Sequence, residues 1–241
     1  MSEQPVRQPN NRPSASTIAR RKALRRKRMI KKRLILGGMI AAVILVIVLL
    51  IVLLVNIFGV TFAEETTLTV KSDGSIVMDE VEDFDKSTYD ESELEKYTQD
   101  LVDEYNEHGN VGKVKFKKAK VKDGKAYLRM EYSDYNAYKL FTGNELFVGT
   151  VGEAKTAGYD FQDTFSKVSE AKKSEAVSVE DVTADDAKKV ILIRANEHVV
   201  SPKDIKIISD ACTTIVKKDE VAIAQPDGNK DATVLTTIIY E

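Results

Sequence analysis

KVKFKKAKVKDGKAYLRMEY, residues 113–132, consists of two runs in which polar and apolar residues alternate, one on either side of Asp123-Gly124. An Asp-Gly pair in this position predicts a two-residue β-hairpin turn, in which both turn residues adopt a positive φ angle. In the first run the apolar positions change parity between Phe116 and Ala119, which predicts a β-bulge at Lys117-Lys118. In the second run one strand face is predicted to carry Ala126, Leu128, Met130 and Tyr132.

Lysine occupies nearly every polar position of the first run. A row of lysines on an exposed strand edge blocks strand-to-strand association, and this row would also neutralise the acidic helix predicted before it. The same row is suited to bind an anionic envelope polymer or a lipid headgroup, because the rest of this part of the chain is acidic. Both interpretations are open at this point for Lys113, Lys115, Lys117, Lys118, Lys120 and Lys122.

Another hairpin and a helix are predicted before this segment. TLTVKSDGSIVMDEVEDF, residues 67–84, places Asp73-Gly74 between two alternating runs, which indicates a hairpin. Asp90 is suited to cap a helix, with Glu93 as its reciprocal partner three residues later, and Gly109 is suited to end it. The predicted buried stripe of this helix consists of Leu94, Tyr97, Leu101 and Tyr105.

The C-terminal part of the chain is predicted to be mostly β-structure. Residues 190–193 are the apolar run VILI, which is typical of a strand buried on both faces. The polar segment 166–187 is predicted to be a loop or a short helix. Further strands are predicted at residues 205–209, 213–216, 221–224 and 233–240. We therefore expect an α+β fold that is β-rich in its C-terminal part, with an α+β subdomain at 67–165 and a β-rich subdomain at 166–241.

Residues 34–58 are predicted to form one N-terminal transmembrane α-helix. No charged residue lies between Arg33 and Glu64. At about 1.5 Å per residue this apolar run covers a hydrocarbon core of about 30 Å. Residues 1–33 contain twelve Lys or Arg residues and one acid, and such basic segments stay in the cytoplasm. The cluster expected at the anionic inner leaflet consists of Arg25, Arg26, Lys27, Arg28, Lys31, Lys32 and Arg33.

The remaining chain is then expected to be extracytoplasmic, after a juxtamembrane linker at residues 59–66. Of the 36 basic and 38 acidic residues in the chain, 24 basic and 37 acidic ones follow residue 33. Cleavage after Ala63 is the alternative to a retained anchor, although the apolar run is longer than the roughly 7 to 15 residues of a signal peptide. Cys212 is the only cysteine, so neither an intramolecular disulfide nor the acylated cysteine of a bacterial lipoprotein is expected.

The stretch VKSDGSIVMDEVEDFDKSTYDESELEKY, followed by Tyr105-Asn106 and the lysine-rich hairpin, carries a resemblance to known proteins. It resembles the exported portions of an uncharacterised group of membrane-anchored, lipoprotein-like envelope proteins of Gram-positive anaerobic bacteria. The resemblance covers about the first half of the exported part. It implies a membrane-tethered surface protein, and it assigns no catalytic residue.

Two segments partly match known ligand-binding motifs. GTVGEAKT, residues 149–156, matches a phosphate-binding P-loop except that Ala154 replaces the glycine before the lysine, so a strand end followed by a short helix is favoured. DGNKD, residues 227–231, has the alternating oxygen ligands of a calcium loop. However, Ile238 occupies the position of its bidentate carboxylate, so a turn is favoured.

No other chemical site is predicted. The two histidines, His108 and His198, lie in no zinc-binding pattern, and no nucleophile elbow is present, so we expect no cofactor, no metal and no catalytic residue. An aromatic cluster is favoured as core and rim packing over a ligand platform, and it consists of Tyr127, Tyr132, Tyr135, Tyr138 and Phe141.

The function that these observations favour is a non-enzymatic binding or interaction module, tethered to the cell membrane and facing the envelope. Its expected partners are the bilayer and an envelope protein or an anionic wall polymer. The alternative is a ligand-binding sensor that signals through a partner, and a hydrolase is the third hypothesis. Nucleic acid is not expected as a partner, because the membrane topology already accounts for the basic tail and no nucleic-acid-binding motif accompanies it.

Overall fold

The computed structural model of the chain describes residues 62–85, 90–109, 111–225 and 234–241. Phe62 to Glu241 form one compact unit. The predicted basic tail, the basic cluster at residues 25–33 and the predicted transmembrane helix at residues 34–58 lie outside the described residues. Among the described residues, no helix has both the length and the apolar character needed to cross a membrane.

The described part of the chain is rich in β-structure and has few helices. Its helices are α1 (Glu91–Glu107), α2 (Tyr135–Thr142), α3 (Val151–Thr156) and α4 (Val179–Thr183). Its strands are β1 (Thr67–Val70), β2 (Ile76–Asp83), β3 (Val114–Lys122), β4 (Lys125–Tyr132), β5 (Leu146–Thr150), β6 (Phe165–Ser169), β7 (Lys172–Val177), β8 (Lys189–Ile193), β9 (His198–Val200), β10 (Ile205–Ser209), β11 (Thr213–Lys217), β12 (Glu220–Ile223) and β13 (Thr236–Tyr240).

The strands form two sheets. Sheet A has the order β11-β12-β9-β1-β2-β4-β3, and sheet B has the order β5-β8-β13-β10-β6-β7. Within the described strands, β1 and β9 pair in parallel and the other neighbours pair antiparallel. Each sheet contains strands from both sides of residue 165, so the expected boundary between 67–165 and 166–241 does not separate the sheets. The pairing of β1 with β9 joins the two halves, and local sequence patterns carry no information about such a long-range contact.

The main core lies between the two sheets. It contains inward residues of sheet A, such as Leu68, Ile76 and Met130, together with inward residues of sheet B, such as Ile191 and Ile238. The other face of sheet B is covered by α3 and α4 and forms a second core, which includes Phe147, Val151, Phe165, Val182, Val190 and Leu192. The prediction that residues 190–193 form a strand buried on both faces is therefore confirmed.

Both predicted hairpins are present. β1 pairs with β2 around the Asp73-Gly74 turn, and β3 pairs with β4 around Asp123 and Gly124, which have φ angles of 53° and 78°. The predicted strands at residues 205–209, 213–216, 221–224 and 233–240 correspond to β10 to β13 with small differences at their ends. Segment 166–187 is predicted to be a loop or a short helix. This is right for α4 and for the turns beside it, but wrong for most of β6 and all of β7, which lie in the same segment.

Helix α1 begins as predicted but buries a different side. Asp90 and Glu93 form the reciprocal capping box, and Gly109 follows the helix with a φ angle of 67°. The predicted buried stripe is wrong in part, since the side chains of Tyr97 and Leu101 are 65% and 39% exposed. Thr98 and Val102 are buried instead. The helix packs along the edge of β3, and small side chains allow the close approach that this position requires.

Candidate anion-binding face

The first strand of the lysine-rich hairpin is an edge strand of sheet A. β3 pairs with β4 on one side only, and its inward residues are Val114, Phe116, Ala119 and Val121. The residues of the two strands that face away from the core are predominantly basic. We define the lysine face as Lys115, Lys117, Lys118, Lys120 and Lys122 of β3 with Lys125 and Arg129 of β4.

A β-bulge brings all five lysines of β3 to the same side. Phe116 pairs with Met130, whereas Lys118 pairs with the next residue of β4, Arg129, so that Lys117 is the extra residue. The predicted bulge is thus confirmed. In a regular strand, odd-numbered and even-numbered residues would face opposite sides. Because one extra residue reverses this parity, Lys115 before the bulge and Lys117 within it face outward together with the lysines after it, which are Lys118, Lys120 and Lys122.

The free edge of β3 is already protected by helix α1. Asn106 Nδ2 donates to the Val114 carbonyl at 2.8 Å, and Asn106 Oδ1 accepts from the Val114 N–H at 3.1 Å. At the other end of the strand, Glu91 Oε2 accepts from the Val121 N–H at 2.7 Å. Two side chains of α1 therefore satisfy edge-directed backbone groups at both ends of β3, and pairing with another chain would have to break these bonds.

The lysine face has few negative charges of its own. Lys117 Nζ lies 3.1 Å from Glu131 Oε2, and Lys122 Nζ lies 3.5 Å from Asp123 Oδ2. Within the residues that the structure describes, Lys115, Lys118 and Lys120 are in no ion pair.

The hydrogen bond from Lys117 lowers the pKa of Glu131. The charges of Lys71 and Lys115 act in the same direction, and partial burial opposes them. The single carboxylate among the outward residues of the two strands is thus held in its charged form by several lysines, and the net charge of this area is strongly positive.

Lys113 does not belong to this face. It precedes β3, and its Nζ donates to the carbonyl of Asn106 at 3.2 Å. The sequence prediction grouped it with the other five lysines because it continues their alternation. In the structure it binds the end of α1 instead.

Two aromatic rings border the lysine face, and one of them, Phe62, was not predicted from the sequence. The ring of Phe62 lies 5.5 Å from the Arg129 guanidinium and 5.7 Å from the ring of Tyr127. Arg129 in turn forms a two-pronged ion pair with Asp79 on the neighbouring strand β2. Phe62 lies next to the predicted membrane segment, and no local pattern marks it as part of a sheet surface.

No family model, curated protein or solved structure matches the chain. Among the described residues, the lysine face is the most distinctive polar feature. The P-loop-like segment, the aromatic residues and the histidines, which the sequence also raised as candidate sites, have other roles in the structure.

The P-loop-like segment has no free amides for a phosphate. Residues 149–156 form the end of β5 and the short helix α3, as the alternative interpretation predicted. The Val151 and Gly152 N–H groups donate to the carbonyls of Lys188 and Asp186 at 2.9 and 3.0 Å. The lysine of the motif, Lys155, pairs with Asp186 at 2.7 Å. The interpretation as a strand followed by a short helix is thus confirmed.

The aromatic residues near the lysine-rich hairpin are mostly packing residues. Tyr132 and Tyr138 are 2% and 0% exposed and pack edge-to-face with 5.2 Å between their ring centres. Burial raises the pKa of both hydroxyls strongly. Phe141 packs against Tyr132, and Tyr135 packs against Phe147. They do not form a common exposed platform.

No group of residues suited to hold a metal ion is found in the described part of the chain. His108 Nδ1 contacts the carbonyl of Glu104, whereas His198 lies between the carboxylates of Glu65 and Glu220, at 2.7 and 2.8 Å. The calcium-loop-like segment at residues 227–231 lies outside the described residues.

Proposed function

We propose that the chain is a non-enzymatic, membrane-tethered module of the cell envelope, and that its lysine face binds an anionic envelope polymer. The observation that carries this proposal is the bulge, which places the lysines on both sides of it on one exposed face. A face of this kind suits a ligand with repeated negative charges, because the successive lysines follow the strand at about 3.3 Å per residue.

The protection of the β3 edge by α1 also supports this proposal. Lysines on an edge strand commonly prevent association with other strands. Here the side chains of Asn106 and Glu91 already bond to the edge of β3, so edge protection accounts for less of the lysine content than the sequence alone indicated. The tether itself rests on the charge-free segment at residues 34–58 and its basic flank.

A sedimentation assay tests the binding. A fragment of residues 62–241, checked for folding by circular dichroism, is mixed with a polyphosphate resin at low and high salt. We expect binding at low salt that weakens as added salt screens the exposed charges, although the fragment is acidic overall. The variant Lys115→Gln/Lys117→Gln/Lys120→Gln, which we call the triple lysine variant, is expected to lose this binding while keeping its fold.

Lysines on sheet B provide a matched control. Lys167, Lys172 and Lys206 are exposed and lie on β6, β7 and β10. Their combined replacement by glutamine changes the net charge by the same amount as the triple lysine variant does. If both triple variants lose binding equally, the interaction reflects net charge only. If the unmodified fragment shows no salt-sensitive binding, the lysine face is not a polyanion site.

A ligand-binding sensor is the second candidate, and one cleft favours it. This cleft has a volume of about 530 Å³ and lies where the β1–β2 turn meets the start of β8. It carries charges of both signs, including Lys71, Lys189, Lys203, Asp73 and Asp185. Such a lining suits a small zwitterion. A thermal shift of the fragment in the presence of free amino acids, lost when Lys189 is changed to glutamine, would support the sensor.

A further inference from the structure

The chain enters the folded unit on the outward face of sheet A, beside the lysine face. The Ala63 N–H donates to Asp79 at 3.4 Å. The Thr66 hydroxyl donates to the Val81 carbonyl at 3.2 Å and accepts from the Val81 N–H at 3.1 Å. Together with the contacts of Phe62, these bonds hold residues 62–66 against β2 and β4. The first residues of the described unit therefore lie on the sheet surface that the lysines share.

Chain length limits how far this surface can be from a bilayer. This step rests on the proposed tether, in which the membrane helix ends at residue 58. Only residues 59–61 separate that end from Phe62, and an extended chain spans at most about 3.6 Å per residue. Phe62 is then within about 15 Å of the hydrocarbon boundary. The headgroup layer occupies roughly the first 5 to 7 Å of that distance.

The charge of the surface matches an anionic headgroup layer. The outward residues of β3 and β4 include the seven basic residues of the lysine face and one acid, Glu131. On the neighbouring strand β2, Asp79 pairs with Arg129 and Asp83 lies opposite Lys125. The other half of the outward face, on β9 and β12, carries His198 and Glu220 and lacks this excess. At physiological ionic strength charges are screened over about 8 Å, so acidic residues farther away than this contribute little at this surface, whereas Asp79 offsets the charge of Arg129.

The aromatic residues at the border of the lysine face have the character of an interfacial anchor. Tyr127 and Phe62 are partly buried and contact each other, and Tyr127 pairs with Lys120 across the β3–β4 ladder. Tyrosine is enriched at membrane–water interfaces, because its ring is apolar and its hydroxyl is polar. Lysine stems also place apolar carbons beside a charged end group.

We infer that the lysine face binds the anionic lipid headgroups of the membrane that tethers the chain, on the outer leaflet. Lys115, Lys118 and Lys120 contact lipid phosphates, and Tyr127 lies at the level of the headgroups. This inference rests on the proposed tether and on the proposed polyanion-binding role of the lysine face, and it takes the lipid phosphate as the ligand in place of a soluble polymer.

Amine labelling of the full chain tests this assignment without any substitution. The chain is reconstituted in nanodiscs of phosphatidylcholine alone or with phosphatidylglycerol, and lysines are acetylated and quantified by mass spectrometry. We expect Lys115, Lys118 and Lys120 to react several-fold more slowly in the anionic discs. The sheet B lysines of the matched control are expected to react equally in both. The protection is expected to disappear at about 1 M salt, where the Debye length is about 3 Å.

Failure of the lipid assignment, of polymer binding and of the tether each gives a different result. Equal reactivity of the lysine face in both kinds of disc, with the chain inserted, overturns the lipid assignment. Protection by added polyphosphate in neutral discs, without protection by anionic lipid, also overturns it but supports polymer binding. A chain that is extracted by alkaline carbonate from liposomes of the same lipids contradicts the tether, and the lipid assignment fails with it.

Discussion

Removing the Asn106 side chain tests the way in which α1 protects the lysine-rich edge strand. Asn106 makes two hydrogen bonds with the backbone of Val114, at 2.8 and 3.1 Å, and Val114 is only 1% exposed. A typical hydrogen bond contributes about 0.5 to 1.5 kcal/mol, so Asn106→Ala is expected to lose about 2 kcal/mol. The higher helix propensity of alanine returns about 0.5 kcal/mol of this.

The expected net loss of about 1.5 kcal/mol corresponds to a decrease in Tm of about 3 to 6 °C for a domain of this size. Urea denaturation and calorimetry of the fragment of residues 62–241 measure it. Gln99→Ala on the exposed side of the same helix is the control, because Gln99 bonds only to Asp103 and makes no bond with β3. A decrease in Tm for Asn106→Ala no larger than for Gln99→Ala would mean that the bonds between Asn106 and Val114 do not stabilise the fold.

Asn106→Asp separates the two hydrogen bonds. The carboxylate keeps an acceptor for the Val114 N–H but presents an oxygen to the Val114 carbonyl, where the native amide donates. Repulsion raises the pKa of such a carboxyl in the folded state, so its destabilisation is largest at neutral pH and decreases as the pH falls through the folded pKa. A variant whose stability relative to the native chain is independent of pH would contradict this geometry.

Self-association, acid stability and membrane orientation can each be tested separately. The triple lysine variant is expected to stay monomeric in analytical ultracentrifugation, whereas Glu91→Ala/Asn106→Ala, which frees the β3 edge, is expected to self-associate. The pKa of Glu131 is lowered in the folded state, so the contribution of Glu131 to stability is present above its unfolded pKa near 4.5 and is lost as the pH falls below that value. Lys117→Gln removes the main cause of the lowered pKa and is expected to reduce this loss in acid denaturation. Protease added to wall-stripped cells is expected to degrade residues 62–241 and to spare an N-terminal epitope tag, and removal of the tag instead would reverse the proposed orientation.

The two interpretations of the lysines differ in what they require of the edge. An edge guard has to lie where backbone groups are unpaired, and the bonds of Asn106 and Glu91 satisfy such groups at both ends of β3. A binding surface has to present its charges together, and the bulge at Lys117 does this. β3 therefore meets the geometric requirement of a binding surface, and its edge needs less protection by lysines. The binding assays test whether the lysine face binds a polyanion.

Local chemistry made part of this fold predictable. The Asp123-Gly124 turn, the Asp90–Glu93 capping box and the bulge at Lys117 were each evident from residues at most a few positions apart. These features depend on backbone angles and on bonds between near neighbours in the chain. Such interactions are encoded within a short window of sequence.

The way in which those elements share their surfaces depends on contacts between distant parts of the chain. The parallel pairing of β1 with β9 joins residues about 130 positions apart, and no short window contains both strands. The buried side of α1 depends on the edge of β3, which admits Thr98 and Val102 and leaves Tyr97 exposed. The position of Phe62 beside Arg129 likewise arises from the folded sheet. The charged positions and the turns between strands could be predicted from short segments of sequence, because they are local properties. The sharing of one exposed face by the lysines and the start of the unit required the long-range packing of sheet A.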